Sequence, residues 1–125
     1  MTHSHSDHIG ALSRLKSALH VPVAGHTAEA TRYPVPLDLE LKSGDKIDWC
    51  KDEIKVLHTP GHTKGSLCFL FGKHLFDGDT LFPGGPGYTS TPENFEEIVD
   101  AITRKLFSLP DDTIVYPGHG STTLI

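Results

Sequence analysis

Between residues 3 and 8 the chain reads His3-Ser4-His5-Ser6-Asp7-His8, so four ligand-type side chains fall within six positions. Such a cluster constrains the fold, because groups that share an ion must all be carried to within bonding reach of it. On an extended segment residues i and i+2 point the same way, so His3 and His5 can grip one ion together. Asp7 and His8 stand where a helix begins and can turn toward a second position. Imidazole nitrogen and carboxylate oxygen suit borderline-soft first-row ions such as zinc. The blander reading is a solvated terminus in which Ser6 or Asp7 caps the helix. Capping and ligation are compatible, so it does not displace the metal. The chain's nine histidines run from His3 to His119, which a terminal tag would not do.

Three later segments share one feature: a polar residue where a strand runs out into a loop. They are Thr59-Pro60-Gly61-His62-Thr63, Phe76-Asp77-Gly78-Asp79-Thr80 and Tyr116-Pro117-Gly118-His119-Gly120. Singly, each reads as a solvated turn, with Asp79 making a local Asx-type bond. Together they place His62, Asp79 and His119 where functional groups are commonly mounted.

The apolar pattern supplies the frame. Ile9, Leu12, Leu15 and Leu19 recur at helical spacing and predict an amphipathic helix over residues 8–19. Val21 to Ala24 reads as a short strand, with a turn of helix from Ala28 to Arg32. Residues 33–45, with Pro34, Pro36 and Gly44, read mainly as a connection. Strands are expected at Lys46–Cys50, Ile54–Leu57, Ser66–Phe71 and Lys73–Phe76, with Gly72 as a tight turn. Residues 83–87 read as a loop. Thr91-Pro92 is a helix start, with Thr91 as N-cap and Pro92 at the first helical position. Phe95, Ile98, Val99, Ile102 and Leu106 mark one face of a helix ending near Ser108, and a last strand follows at Thr113–Tyr116. Alternating strands and helices mean α/β or α+β in a single domain over residues 1–125.

The ordered motifs His-x-His-x-Asp-His, Thr-Pro-Gly-His-Thr, Gly-Asp-Thr-Leu-Phe and Tyr-Pro-Gly-His-Gly resemble the metallo-β-lactamase superfamily. The linking segments are most similar to its hydroxyacylglutathione hydrolase (glyoxalase II) branch, from Thr2 to about Thr123. The resemblance implies an αββα sandwich. It implies a first metal on His3, His5 and His62, a second on Asp7, His8 and His119, and Asp79 bridging the two. Zinc is the first expectation for both ions, with iron or manganese as alternatives. Two ions about 3.5–4 Å apart can share a hydroxide that attacks the carbonyl of a thioester or related ester. Asp7 and Asp79 are then the catalytic carboxylates, Asp79 setting the metal spacing and Asp7 accepting a hydrogen bond from the nucleophile. Lys64 and Tyr88, in loops beside the motifs, are candidates for contacting the substrate.

The chain departs from the family pattern in two places. The strands that precede the first motif are not in it, so the sandwich is expected to be incomplete, with an open sheet edge that self-association could cover. Tyr88 and Ser121 stand where glyoxalase II carries a basic and an aromatic residue. The resemblance therefore extends to the hydrolase class and not to glutathione as the thiol. Two alternatives remain open: lactone or β-lactam hydrolysis on the same site, and an inactive metal-binding fragment.

Of the other histidines, His58 is the best candidate to orient a ligand, while His20, His26 and His74 read as structural or exposed. Trp49 reads as core, and Cys50 and Cys68 as apolar strand residues. Two cysteines make no disulfide framework, and the N-terminus lacks a signal-peptide pattern, which together suggest the cytoplasm. The net charge of −5 and the scattered basic residues argue against nucleic acid. No run of about 18 apolar residues is present to span a membrane.

Overall fold

The strand-rich middle of the chain builds one six-stranded sheet in the computed structural model, which describes residues 1–125. Its strands are β3 (Lys46–Trp49), β4 (Asp52–His58), β5 (Leu67–Phe71), β6 (His74–Gly78), β9 (Ile114–Pro117) and β10 (Thr123–Leu124). They lie in the order β10-β9-β6-β5-β4-β3. All neighbours are antiparallel except β6 and β9, which run parallel. A parallel pair needs a crossover, and helix α3 (Pro92–Ala101) supplies it. The crossover also carries the short ribbon of β7 (Leu81–Phe82) and β8 (Gly85–Pro86), inside what the sequence presents as a loop.

Side-chain alternation gives the sheet two apolar faces. Cys68, Leu70, Leu75 and Val115 point to one side and meet Ile98, Ile102 and Leu106 of the crossover helix. The helix begins as its sequence dictates, with Thr91 Oγ1 accepting from Asn94 N at 3.2 Å and Pro92 next. Its last turn, Ile102–Leu106, widens into π geometry. Val56, Leu67 and Phe69 point to the other side, toward a second, two-stranded sheet. That sheet pairs β1 (Ala24–His26) with β2 (Leu39–Leu41) in parallel. The helices α1 (Ser6–Ile9) and α2 (Leu12–Leu19) lie beyond it, where Ile9 and Leu12 pack with Val23 and Tyr33. Helix, sheet, sheet, helix is the expected αββα order, with the second sheet reduced to two strands.

The reduced layer leaves apolar surface open. Leu15, Leu19 and Val21 are 51, 61 and 46% exposed, and Phe76, stacked on Tyr116, is 48% exposed. The single helix expected over residues 8–19 is in fact two, interrupted at Gly10-Ala11. A Cβ on Gly10 would sit 3.1 Å from Ser6 O, so the tight break suits glycine. The strand expected at Val21–Ala24 lies slightly later, at β1, and the presumed connection over 33–45 contains β2. Trp49 is not core: it ends an edge strand and is 59% exposed. Cys50 is an exposed turn residue with φ 58° rather than a strand residue, whereas Cys68 is buried as expected. No helix is long and apolar enough to cross a membrane.

Candidate metal centre

Three strand ends meet at one rim of the large sheet. Because β6 and β9 are parallel, their C-terminal ends stop together, with Gly78 opposite Pro117 and Gly118 N donating to Gly78 O at 2.7 Å. Asp79 and His119 therefore emerge side by side. Thr2 is tied to β5 by a bond from Leu67 N to Thr2 O of 2.9 Å, and its side chain rests on Gly78. That brings His3 and the rest of the first motif to the same rim. The fourth contributor is the loop between β4 and β5. It is closed by Thr59 N to Ser66 O at 2.8 Å and Gly61 N to Thr63 O at 3.1 Å, with His62 between.

All seven residues expected as ligands converge there. His3 Nε2 lies 3.1 Å from His5 Nδ1, and His62 Nε2 lies 2.9 Å from the same atom. On the other side His119 Nε2 is 3.0 Å from Asp7 Oδ2, and His8 Nε2 is 3.7 Å from it. The Asp79 carboxylate stands between, with Oδ1 3.2 Å from His8 Nε2 and Oδ2 3.5 and 3.7 Å from the Nε2 atoms of His62 and His119. The donors form three overlapping groups: His3, His5 and His62; His3, His8 and Asp79; Asp7, His8 and His119.

Several features of this cluster fit bound cations better than a hydrogen-bonded network. His8 Nε2 and Asp79 Oδ1 are buried without a hydrogen-bond partner, a costly state that a coordinated ion would relieve. The Tyr88 carbonyl accepts from His62 Nδ1 at 2.8 Å, which directs the Nε2 lone pair into the cluster. Burial, helped by the neighbouring His8, His62 and His5, pushes His3 down to about 3, so its imidazole is neutral and free to ligate. A Cβ at Gly118 would land on Asp79 Oδ1 and His8 Cε1, so only glycine lets β9 pass this close. The first group is the more enclosed, whereas Asp7 and His119 keep side-chain exposures of 53 and 56%. The centre is thus open on one side.

Two supports were not legible as functional in the sequence. Glu29, on the short 3₁₀ turn Thr27–Arg32, is 1% exposed. Its Oε2 accepts from Ser4 N at 3.1 Å and from Ser4 Oγ, and its Oε1 accepts from Gly65 N at 3.1 Å. Burial raises its pKa, but the bonds from Ser4, Gly65 and Thr63 outweigh it and hold the carboxyl below its ordinary value. One buried carboxylate thus ties the first motif loop to the loop carrying His62. Lys105, within the π segment, donates to His58 O where β4 ends. His58 itself orients no ligand, contrary to the sequence expectation. Its ring stacks on His26 at 4.2 Å, and Nε2 donates to Lys64 O at 2.9 Å. The Tyr88 carbonyl takes the orienting part instead, and no side-chain pattern announces a backbone acceptor. His74 is structural, bonded to Tyr116 Oη at 2.9 Å.

Beside the centre is a cavity of about 280 Å³, walled by His5, His62, Glu29, Arg32, Lys64 and Tyr88 among others. Lys64 and Tyr88 thus lie in a common lining, and Tyr88 is 78% exposed at its mouth.

Comparison with known proteins agrees with this geometry. The family model described as "Metallo-beta-lactamase superfamily" matches residues 1–119. A hydroxyacylglutathione hydrolase of Cereibacter sphaeroides (strain ATCC 17029 / ATH 2.4.9) is 40% identical over 124 residues, covering 95% of this chain and 46% of that protein. The chain therefore spans about half the length of such curated relatives. The crystal structure of BLEG-1 B3 metallo-beta-lactamase superposes with a TM-score of 0.90 at 30% identity, covering 98% of this chain and 69% of that one. TTHA1623 in a di-iron-bound form superposes with a TM-score of 0.82 at 32% identity, with the same two coverages of 98 and 69%.

Proposed function

Since this chain belongs to the metallo-β-lactamase superfamily, we propose that it is a two-metal hydrolase acting on a thioester or related ester. The observation that carries the reading is the convergence of seven donor side chains from four separate segments, with two of their buried atoms left without hydrogen-bond partners. The relative named hydroxyacylglutathione hydrolase supports a thioester as the bond cleaved. Two divalent ions would supply a Lewis acid for the acyl carbonyl and a water acidic enough to attack at neutral pH. Zinc suits the nitrogen and oxygen donors, and the di-iron neighbour keeps iron in view.

In this reading His3, His5 and His62 would hold the first ion and Asp7, His8 and His119 the second, with the Asp79 carboxylate lying between the two groups. Asp7 has a second role. Its own backbone amide and the nearby His8 and His119 hold its carboxyl below the usual range, so it is ionised at neutral pH. Being half exposed on the open side, it would accept a hydrogen bond from a water entering the site. A thiolate leaves readily from such a site, being a soft group that needs no proton to depart. The two free cysteines suit a reducing cytoplasm.

The test is metal content per chain after purification without added metal, followed by a panel of thioesters, lactones and β-lactams. About two ions and chelator-sensitive thioester cleavage are expected. One ion or none would sink the two-metal reading, and two ions without turnover would favour an inactive metal-binding domain.

A further inference from the structure

The cavity beside the metal centre is lined by two cations, Arg32 and Lys64, and one carboxylate, Glu29. The chain is acidic overall, with 16 Asp and Glu against 11 Lys and Arg. Five of the eleven Lys and Arg side chains are committed: Lys16 to Asp38, Lys46 to Glu53, Lys73 to Asp112, Arg104 to Asp100 and Lys105 to His58 O. Arg32 and Lys64 are among the six without such a partner, and both line this cavity. The one acid in that lining, Glu29, is 1% exposed and has both oxygens engaged by Ser4 and Gly65, so it does not serve as their counter-ion. Ser90 Oγ accepts from Asn94 Nδ2 at 3.1 Å, which leaves the Ser90 hydroxyl proton free to donate into the same space. Two uncommitted cations and a hydroxyl donor therefore share a lining with the ligands His5 and His62.

We infer that this cavity is an anion-recognition subsite, in which Arg32 and Lys64 bind a carboxylate carried by the substrate while its reacting carbonyl lies at the metal centre. The inference rests on the hydrolase reading above and narrows its substrate class to anionic esters and thioesters. Lys64 lies two residues after His62 in the chain, and Arg32 ends the turn that carries Glu29, so both cations stand on segments already fixed by the site. A guanidinium can grip a carboxylate in bidentate fashion, and the ammonium adds a point charge. The carboxylate can belong to the acyl group or to the thiol, and the cavity suits either.

Binding of non-hydrolysable thioethers to the full chain with zinc supplied tests this independently of turnover. One thioether ends in a carboxylate and its partner in the matching carboxamide. A second such pair carries the group on the opposite side of the sulfur, which distinguishes an acyl-side from a thiol-side anion. In at least one pair the carboxylate should bind about tenfold more tightly than the amide. Raising the salt concentration should erode that preference. In the doubly substituted Arg32→Gln, Lys64→Gln chain the preference should vanish, with metal content and carboxamide binding unchanged. Equal binding of acid and amide in both pairs, or no binding of either, overturns the inference. A preference that survives the double substitution also overturns it, by assigning the attraction to the metal ions. An intact preference in a chain that cleaves no ester would sink the hydrolase reading and leave the subsite standing.

Discussion

Glu29 shows how one side chain with no place in the reaction can decide whether a site exists. Its carboxylate holds backbone donors of Ser4 and Gly65 together across the base of the centre. Glu29→Gln keeps the shape but puts an amide where one oxygen was, and should cost about 1–3 kcal/mol at neutral pH by unpairing a buried donor. The pH dependence has a definite sign. Because the folded pKa lies below the ordinary value of 4.5, the carboxylate contributes fully above that value and loses its contribution as pH falls through the folded pKa. Denaturant melts of the two proteins should therefore converge below about pH 4.5, and a constant gap down to strong acid would contradict this account. Gly118 makes the complementary point. Gly118→Ala should leave the fold intact, because the atoms the added methyl meets first belong to the Asp79 and His8 side chains. Metal affinity should fall by about 10–100-fold, the usual scale for disturbing groups that place ligands. Titration against a chromophoric chelator would read it directly.

Among the elements, the joint between α3 and the His62 loop matters most. Gly61 has φ 130°, and a Cβ there would come within 2.5 Å of Asn94 O and Ile98 Cβ. The loop therefore packs directly on the helix backbone, and glycine is needed both for its conformation and for its lack of bulk. Gly61→Ala should push the helix from the loop and destabilise the chain by about 2–4 kcal/mol, through overpacking and an unfavourable φ together. A change under about 0.5 kcal/mol by thermal or denaturant unfolding would show the joint to be slack. Glycine in the Thr-Pro-Gly-His-Thr motif is visible in the sequence, but its reason is not. The clash is with Asn94 and Ile98, residues more than thirty positions away.

At the scale of the whole molecule, the candidate metal centre would act as a clasp. Its donor residues come from the N-terminal segment, the β4–β5 loop, the end of β6 and the end of β9, so ions bound there would join both ends of the chain to its middle. Saturating metal at about a hundred times its dissociation constant should add about 2.7 kcal/mol of stability, and a chelator should remove it. Calorimetric scans with and without chelator should differ by at least several degrees, and coincident scans would mean that no ions are held. The two-stranded second sheet has an opposite consequence. With Leu15, Leu19 and Val21 exposed together on one side of it, the chain is expected to self-associate. Sedimentation over a range of concentrations should show this, and Leu19→Glu should weaken it. A single ideal monomer throughout would defeat the expectation.

Residue type and order, with the family resemblance they carry, pointed to seven residues that the fold brings together, because these stand in short, recognisable motifs at strand ends. The main strands and the α3 N-cap were legible for a similar reason, since each depends on local periodicity or on a few adjacent residues. Local pattern could not say which apolar residues find a partner. Leu15, Leu19 and Trp49 carry the signature of core yet lie exposed, because burial depends on what stands opposite. It could not reveal that Glu29 clamps two loops, that the Tyr88 carbonyl orients His62, or that Arg32 shares a cavity with Lys64. Those relations join residues 25 to 36 positions apart in the chain, and only the packing of sheets and loops brings them within a hydrogen bond or a common wall.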